Sequence, residues 1–286
     1  MSRKRFAGRV AAITGAGSGM GRALAVELAR RGCHLALSDI DDAGLAETAR
    51  IAAAGGVTLT LAHVDTANRE ALYAWAEQVV KNHGRVNLLF NNAGVSLSAP
   101  LADVTQADFD WIMGINFWGV VWGTQAFLPH LTASGEGHVV NTSSLFGLMS
   151  VPLHGPYNAS KFAVRGYTEA LRMELDVMRS CVSATCVHPG GVRTEIARRG
   201  RVDARTEAYT GQTVEAVRGM FDKLLDTTSS HAAAQRILDA VVRNERRVLV
   251  GRDAWWADKA VRLLGGAYQG LVVWAMRRAR SRSAAG

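Results

Sequence analysis

Cysteine is scarce: Cys33, Cys181 and Cys186 are the only three in 286 residues. An odd number without metal-ligand spacing excludes a disulfide framework and a cysteine-built metal site. Cys33 and Cys181 begin predicted strands and Cys186 lies inside one, so buried, reduced thiols in a cytoplasmic protein are expected. No stretch reaches about 18 uninterrupted apolar residues, which excludes a transmembrane helix. The N-terminus lacks the apolar core of a signal peptide, because Ala11-Ala12-Ile13 runs straight into glycines. The body also lacks a basic stripe. The net charge is +8, but Arg3, Lys4, Arg5, Arg277, Arg278, Arg280 and Arg282 lie at the chain ends. Between them the chain is roughly neutral, which argues against nucleic acid as a partner. Apolar content of 48% and charged content of 20% describe a globular chain long enough for a large core.

Glycine is abundant, at 29 residues. The apolar run Arg9 to Thr14 reads as a strand. It is followed by Gly15-Ala16-Gly17-Ser18-Gly19-Met20-Gly21 and by helical periodicity from Arg22 to Ala29. Strand, glycine turn and helix together predict a dinucleotide site at Gly15, Ser18, Gly19, Met20 and Gly21. Glycines let the backbone approach a pyrophosphate, and the helix N-terminus offers N–H groups to it. His34 to Ser38 predicts a second strand ending in Asp39, an acid placed to accept from ribose hydroxyls. It would repel a 2′-phosphate and so favours NAD over NADP, though it could also cap the next helix. Val57 to Val64 predicts the third strand. Asp65 beyond it could accept from an adenine amino group or cap the helix that starts near Asn68.

Further strands are predicted at Val86–Phe90, Gly137–Asn141, Cys181–Val187 and Arg247–Val250. Helices are predicted over Asp42–Ala54, from near Asn68 through Trp75 and Lys81 to near His83, and over Asp108–Gln125, Tyr157–Met178 and Ser230–Val242. Seven strands alternating with helices predict a single α/β domain over residues 1–286, with one doubly wound parallel Rossmann-type sheet. No linker or internal repeat divides it. Ligands of such sheets sit at the strand carboxyl ends. The glycine turn, Asp39, Val64, Asp65, the run Asn91-Asn92-Ala93-Gly94, Ser144 and Pro189 all fall there.

Tyr157 and Lys161 are four residues apart and share one helix face. A phenol with a pKa of about 10 is a poor base at neutral pH, and a fixed ammonium beside it would bring that value down. Ser144, thirteen residues upstream, offers a hydroxyl. The three could polarise a carbonyl or take a proton from an alcohol. Asn116 is polar among apolar neighbours, so it needs hydrogen-bond partners.

Together these residues resemble the short-chain dehydrogenase/reductase family from about Arg9 to Gly251. The matching motifs are Thr14 to Gly21, Asp65, Asn91 to Gly94, Asn116, Ser144, Tyr157, Lys161 and Pro189-Gly190. The resemblance implies that Tyr157 is the catalytic acid/base and that Lys161 lowers its pKa and holds the nicotinamide ribose. It implies that Ser144 positions the substrate oxygen and that Asn116 supports a proton-relaying water. Asn92, Ala93, Gly94, Pro189, Gly190, Val192 and Thr194 become cofactor contacts. The implied reaction is hydride transfer between NAD and a secondary alcohol or ketone. An NADP-dependent carbonyl reductase and a non-catalytic dinucleotide-binding sensor are the alternatives. Leu97, Leu145, Phe146, Leu148, Met149, Val151, Leu153 and His154 lie in segments expected to face the pocket. An apolar lining suits a steroid-, retinoid- or lipid-like substrate; His154 could touch substrate, but an exposed loop residue is the first expectation. Family habit implies a homotetramer, or else a dimer, built on the helices carrying Trp111 to Trp122 and Tyr157 to Met178.

Two segments fall outside these motifs. Residues 195–226, within a substrate lobe of about 190–228, are polar and weakly periodic and predict a mobile cover with one or two short helices. The tail from Asp253 to Ala279 carries Trp255-Trp256, Leu263-Leu264 and Leu271-Val272-Val273-Trp274 before its arginines. It could lie on a membrane as an amphipathic helix, or pack on the body or on another subunit.

Overall fold

Seven apolar runs form one parallel sheet: β1 (Val10–Thr14), β2 (His34–Asp39), β3 (Leu59–His63), β4 (Leu88–Asn91), β5 (Gly137–Thr142), β6 (Val182–Pro189) and β7 (Arg247–Val250). The computed structural model describes residues 6–224 and 227–283. The basic run Arg3, Lys4 and Arg5, residues 225 and 226 of the lobe, and residues 284–286 lie outside the described residues. Spatial order is β3-β2-β1-β4-β5-β6-β7. Register is fixed by pairs such as Ala12 with Ala36 and Leu89, and Phe90 with Val140. β1, β4 and β5 are covered on both faces, which is why they read as continuous apolar runs. Alternation still sorts their side chains. Ala11 and Ile13 join one core with Leu24, Leu28, Leu35 and Ile237, while Val10 and Ala12 join the other with Leu72, Trp75, Phe127 and Leu175.

Helices α1 (Gly19–Arg30), α2 (Asp42–Ala52) and α9 (Ser230–Val242) supply the first core. The second is supplied by α3 (Arg69–His83), α5 (Gly119–Ala133) and α6 (Gly155–Val177). Trp75 meets Phe127 edge-on, with ring centres 5.0 Å apart. The sheet reverses its winding between β1 and β4, and the ligand crevice of such sheets opens there.

The expected helix over Asp108–Gln125 is not continuous. α4 (Gln106–Met113) passes into a π-turn, Gly114–Trp118, before α5 begins. A π-turn is a local widening often found at functional sites, and this one carries the buried Asn116. The lobe carries the short helices expected of it and, in addition, a short strand. It contains α7 (Thr206–Thr210) and α8 (Val214–Leu224), and its strand Arg201–Val202 pairs with Leu97–Ser98. Arg199 reaches Asp41 and Arg201 reaches Asp108, each at 3.0 Å, tying the lobe to the body. Cys33 and Cys186 are buried, and burial pushes both thiols up to about 12. Cys181 is exposed, against expectation, because β6 starts one residue later and leaves it in the preceding turn. The tail forms α10 (Arg252–Leu264) and α11 (Tyr268–Ser283).

Candidate active site

The glycine turn leaves no room for side chains. Gly15 has φ +65°, and a Cβ there would lie 2.8 Å from the Ala93 Cα; a Cβ on Gly21 would run into the Gly15 carbonyl oxygen. Ser18 caps α1 without a side-chain hydrogen bond, and no acid stands in the first turn. The helix therefore presents its amide end and its positive dipole to the cleft. Arg22 braces the turn from behind, donating to Thr48 Oγ1 at 3.0 Å and to the Gly17 carbonyl.

Asp39 does not cap the next helix; Asp41 does, accepting from the Gly44 N–H at 2.9 Å. Asp39 instead accepts from the Gly17 N–H at 2.7 Å and the Asp41 N–H at 3.0 Å, locking β2 to the glycine turn. Asp65 accepts from the Ala67 N–H at 2.9 Å, and the cap of α3 is Asn68. Gly15, Ser18, Gly19, Met20, Asp39, Val64, Asp65, Asn92, Ala93, Gly94 and Thr194 line one cleft of about 370 Å³. Gly21 stands behind it as a packing glycine.

Asn92 donates to the Thr14 and Gly15 carbonyls, both at 3.2 Å, and Thr14 Oγ1 accepts from the Asn92 and Ala93 N–H groups. This fastens β4 to β1 beneath the cleft. Asn116 is fully buried. It accepts from the Val95 N–H at 2.8 Å and donates to the Val95 carbonyl at 3.0 Å and to Ser160 Oγ at 3.1 Å.

Ser144, Tyr157 and Lys161 line a second cavity together with Met20, Asn92, Gly94, Pro189, Gly190, Val192 and Thr194. Lys161 is almost fully buried. Its Nζ donates to the Thr142 carbonyl at 3.1 Å and lies 5.6 Å from the centre of the Tyr157 ring. Burial lowers the Lys161 ammonium to about 8 and raises the Tyr157 phenol. The Ser144 hydroxyl beside the phenol works the other way. Desolvation of the phenolate is the larger of these two effects on Tyr157.

A profile described as short chain dehydrogenase matches residues 9–205. The chain belongs to the short-chain dehydrogenase family. SadH of Mycobacterium tuberculosis, named only as an oxidoreductase, is 47% identical over 267 residues, covering 93% of this chain and 95% of SadH. Human 17-beta-hydroxysteroid dehydrogenase 13 is 34% identical over 225 residues, 78% of this chain and 74% of the relative. The crystal structure of a short chain dehydrogenase/reductase from Burkholderia phymatum in complex with NAD superposes with a TM-score of 0.80. Its identity is 33%, and the match covers 90% of this chain and 92% of that one.

In this short-chain dehydrogenase the pocket wall differs from its sequence expectation. Leu145, Phe146 and His154 face the cavity that holds Tyr157. Leu97 and Leu148 are buried, while Val151 and Leu153 turn to a groove on the other side of the loop, against α11. His154 is buried, not exposed. Its Nε2 pairs with Ser98 Oγ at 2.9 Å and its Nδ1 with the Pro152 carbonyl at 3.2 Å. Burial pushes its imidazole down to about 4. Ile196, Ala197 and Phe221 of the lobe and Asp253 of the tail also line the cavity; the sequence places the lobe over the pocket without singling out these residues, and Asp253 is not expected there at all. The Phe221 ring stands 4.3 Å from that of His154. An apolar residue in a weakly periodic lobe carries no signal of the ring it will meet.

Proposed function

We propose that this oxidoreductase interconverts a hydrophobic secondary alcohol and its ketone, with NAD as the preferred coenzyme. The observation that carries the reading is the joining of Ser144, Tyr157 and Lys161 in one apolar cavity, beside the Pro189 turn and Gly94. The cradle fits a dinucleotide. Gly15 keeps a side chain out of its floor, Gly21 behind it lets α1 close on the Gly15 carbonyl, and the uncapped end of α1 suits a pyrophosphate. Asp39 at the tip of β2 favours unphosphorylated ribose, since its carboxylate would repel a second anion. Val64 and Asp65 would flank the adenine, and Asn92, Ala93, Gly94, Pro189, Gly190, Val192 and Thr194 the nicotinamide half.

A bound nicotinamide would supply the hydride acceptor or donor. Tyr157 would take the hydroxyl proton during oxidation and return it to the developing alkoxide during reduction. Ser144, next to it, would hold the reacting oxygen. Lys161, buried and cationic below about pH 8, would stabilise negative charge developing on the phenol. Asn116, through Val95 and Ser160, would hold the floor of this arrangement and a relaying water. The apolar wall of Leu145, Phe146, Ile196 and Phe221 and the hydroxysteroid relative support a steroid-, retinoid- or lipid-like substrate. Met173, Val177 and Met178 are exposed on and just after α6, which supports assembly into a tetramer or dimer.

Tyr157→Phe tests the reading. A panel of hydrophobic secondary alcohols with NAD should yield NADH with the native chain. The variant should bind NADH as before and lose at least roughly a hundredfold in kcat. Undiminished turnover by the variant would sink the assignment.

A further inference from the structure

The inner faces of α10 and α11 hold the tail to the body. Asp258 is buried and accepts from Arg247 on β7 at 3.1 and 3.2 Å, and from Arg262 at 3.0 and 3.1 Å. The Tyr268 hydroxyl accepts from the Ser150 N–H at 3.0 Å, and Val272 walls the groove against the loop of Val151 and Leu153. The outer faces touch nothing among the described residues that would cover them. Trp256, Leu263 and Leu264 recur at i, i+7 and i+8 on α10, with exposures of 62%, 85% and 41%. Leu271 and Trp274, one turn apart on α11, are 57% and 60% exposed.

The charge around these side chains has one sign. From Arg252 onward the sequence holds seven cations and two acids, Asp253 and Asp258. Both acids turn inward, Asp253 to the Gly191 N–H and Asp258 to Arg247. Lys259 and Arg278 lie over the Trp255 and Trp274 rings, at 5.6 and 5.5 Å. We propose that this outer face docks the enzyme on an anionic lipid surface. Tryptophan and leucine would enter the headgroup boundary, and the arginines would meet lipid phosphates and carboxylates. A second copy would not suit the face, because a twofold contact would set the same arginines against one another. No helix among the described residues is long and apolar enough to cross a membrane, so the tail would lie on the surface. Docking of this kind is independent of the reaction assigned above.

Co-sedimentation of the full chain with vesicles is the test. Phosphatidylcholine vesicles containing phosphatidylserine should bind it, and phosphatidylcholine alone should bind it far less. Arg277→Gln with Arg278→Gln should lower the partition coefficient roughly thirtyfold at low salt. Leu271→Ser with Trp274→Ser should remove binding while melting temperature and gel-filtration volume stay unchanged. Absence of binding to the anionic vesicles, or equal binding to both kinds, would overturn the proposal. So would a shift of the Leu271/Trp274 variant to a smaller species, which would assign the face to a subunit contact.

Discussion

The Asp253 carboxylate accepts a hydrogen bond from the Gly191 N–H at 2.5 Å, so the first turn of the tail is fastened to the turn that follows β6. Space for it comes from two glycines, since a Cβ on Gly190 or Gly251 would collide with the carboxylate. The Pro189–Thr194 segment thus takes part of its shape from a residue some sixty positions later. Asp253→Ala would leave the Gly191 N–H without its acceptor, at a cost of about 1–3 kcal/mol. The expected result is a dinucleotide Kd raised on the order of tenfold in a chain that still folds, measured by NADH fluorescence beside a thermal melt. An unchanged Kd would show that the turn is held by its other contacts.

Asp39 serves two purposes that one substitution can separate. Its oxygens accept the Gly17 and Asp41 N–H groups, and its charge faces the cleft. Asp39→Ser keeps an acceptor and removes the charge. NADP should gain on NAD by roughly tenfold to a hundredfold in the ratio of Kd values, the scale of one unit charge in a partly solvated cleft. Titration with both coenzymes measures the ratio. A ratio that stays put would mean that coenzyme choice resides elsewhere.

Gly21 is fixed by sterics more than by chemistry. Its missing Cβ is what lets α1 approach the Gly15 carbonyl. Gly21→Ala must push the helix off the turn, with an expected loss of about 3 kcal/mol in stability and of measurable NADH binding. Urea unfolding and NADH titration on the same preparation would check both. Gly166 has open space where a Cβ would go, so Gly166→Ala on α6 is the matched control and should be neutral or stabilising.

The features legible in the sequence were those encoded locally. β7 and α9 fall at their predicted boundaries, and the glycine turn and the Tyr157–Lys161 pair stand where their spacing placed them. What escaped depends on distant chain. His154 reads as an exposed loop residue until Phe221 of the lobe covers it. Asp253 reads as an ordinary first-turn acid until Gly191 is beside it. Asp39 and Asp65 each had a helix cap as a competing reading, and only coordinates show that Asp41 and Asn68 take those roles. The pairing of Arg201 with Leu97 joins two strands of two residues each, too short to leave a period in the sequence.

The two buried imidazoles predict how the fold responds to acid. His154 and His188 are both pushed down to about 4 by burial, against an ordinary value of 6.5. His154 is surrounded by Ser98, Phe146, Tyr157 and Phe221. His188 meets the Ser144 carbonyl at 3.0 Å, with Arg247, Arg165 and Glu169 nearby. Above pH 6.5 both rings are neutral in the folded and unfolded chains. Between 6.5 and 4 the unfolded chain takes up protons that the folded chain refuses, so stability falls as pH falls across that window. Each ring should account for about 2 kcal/mol of lost stability between pH 7.5 and pH 5. His154→Gln keeps a polar partner for Ser98 and cannot titrate. The variant should therefore lose about 2 kcal/mol less than the native chain over the same interval, read from urea midpoints at the two pH values. Identical losses in the two proteins would mean that His154 is charged in the folded state, and the buried, neutral wall described for the pocket would be wrong.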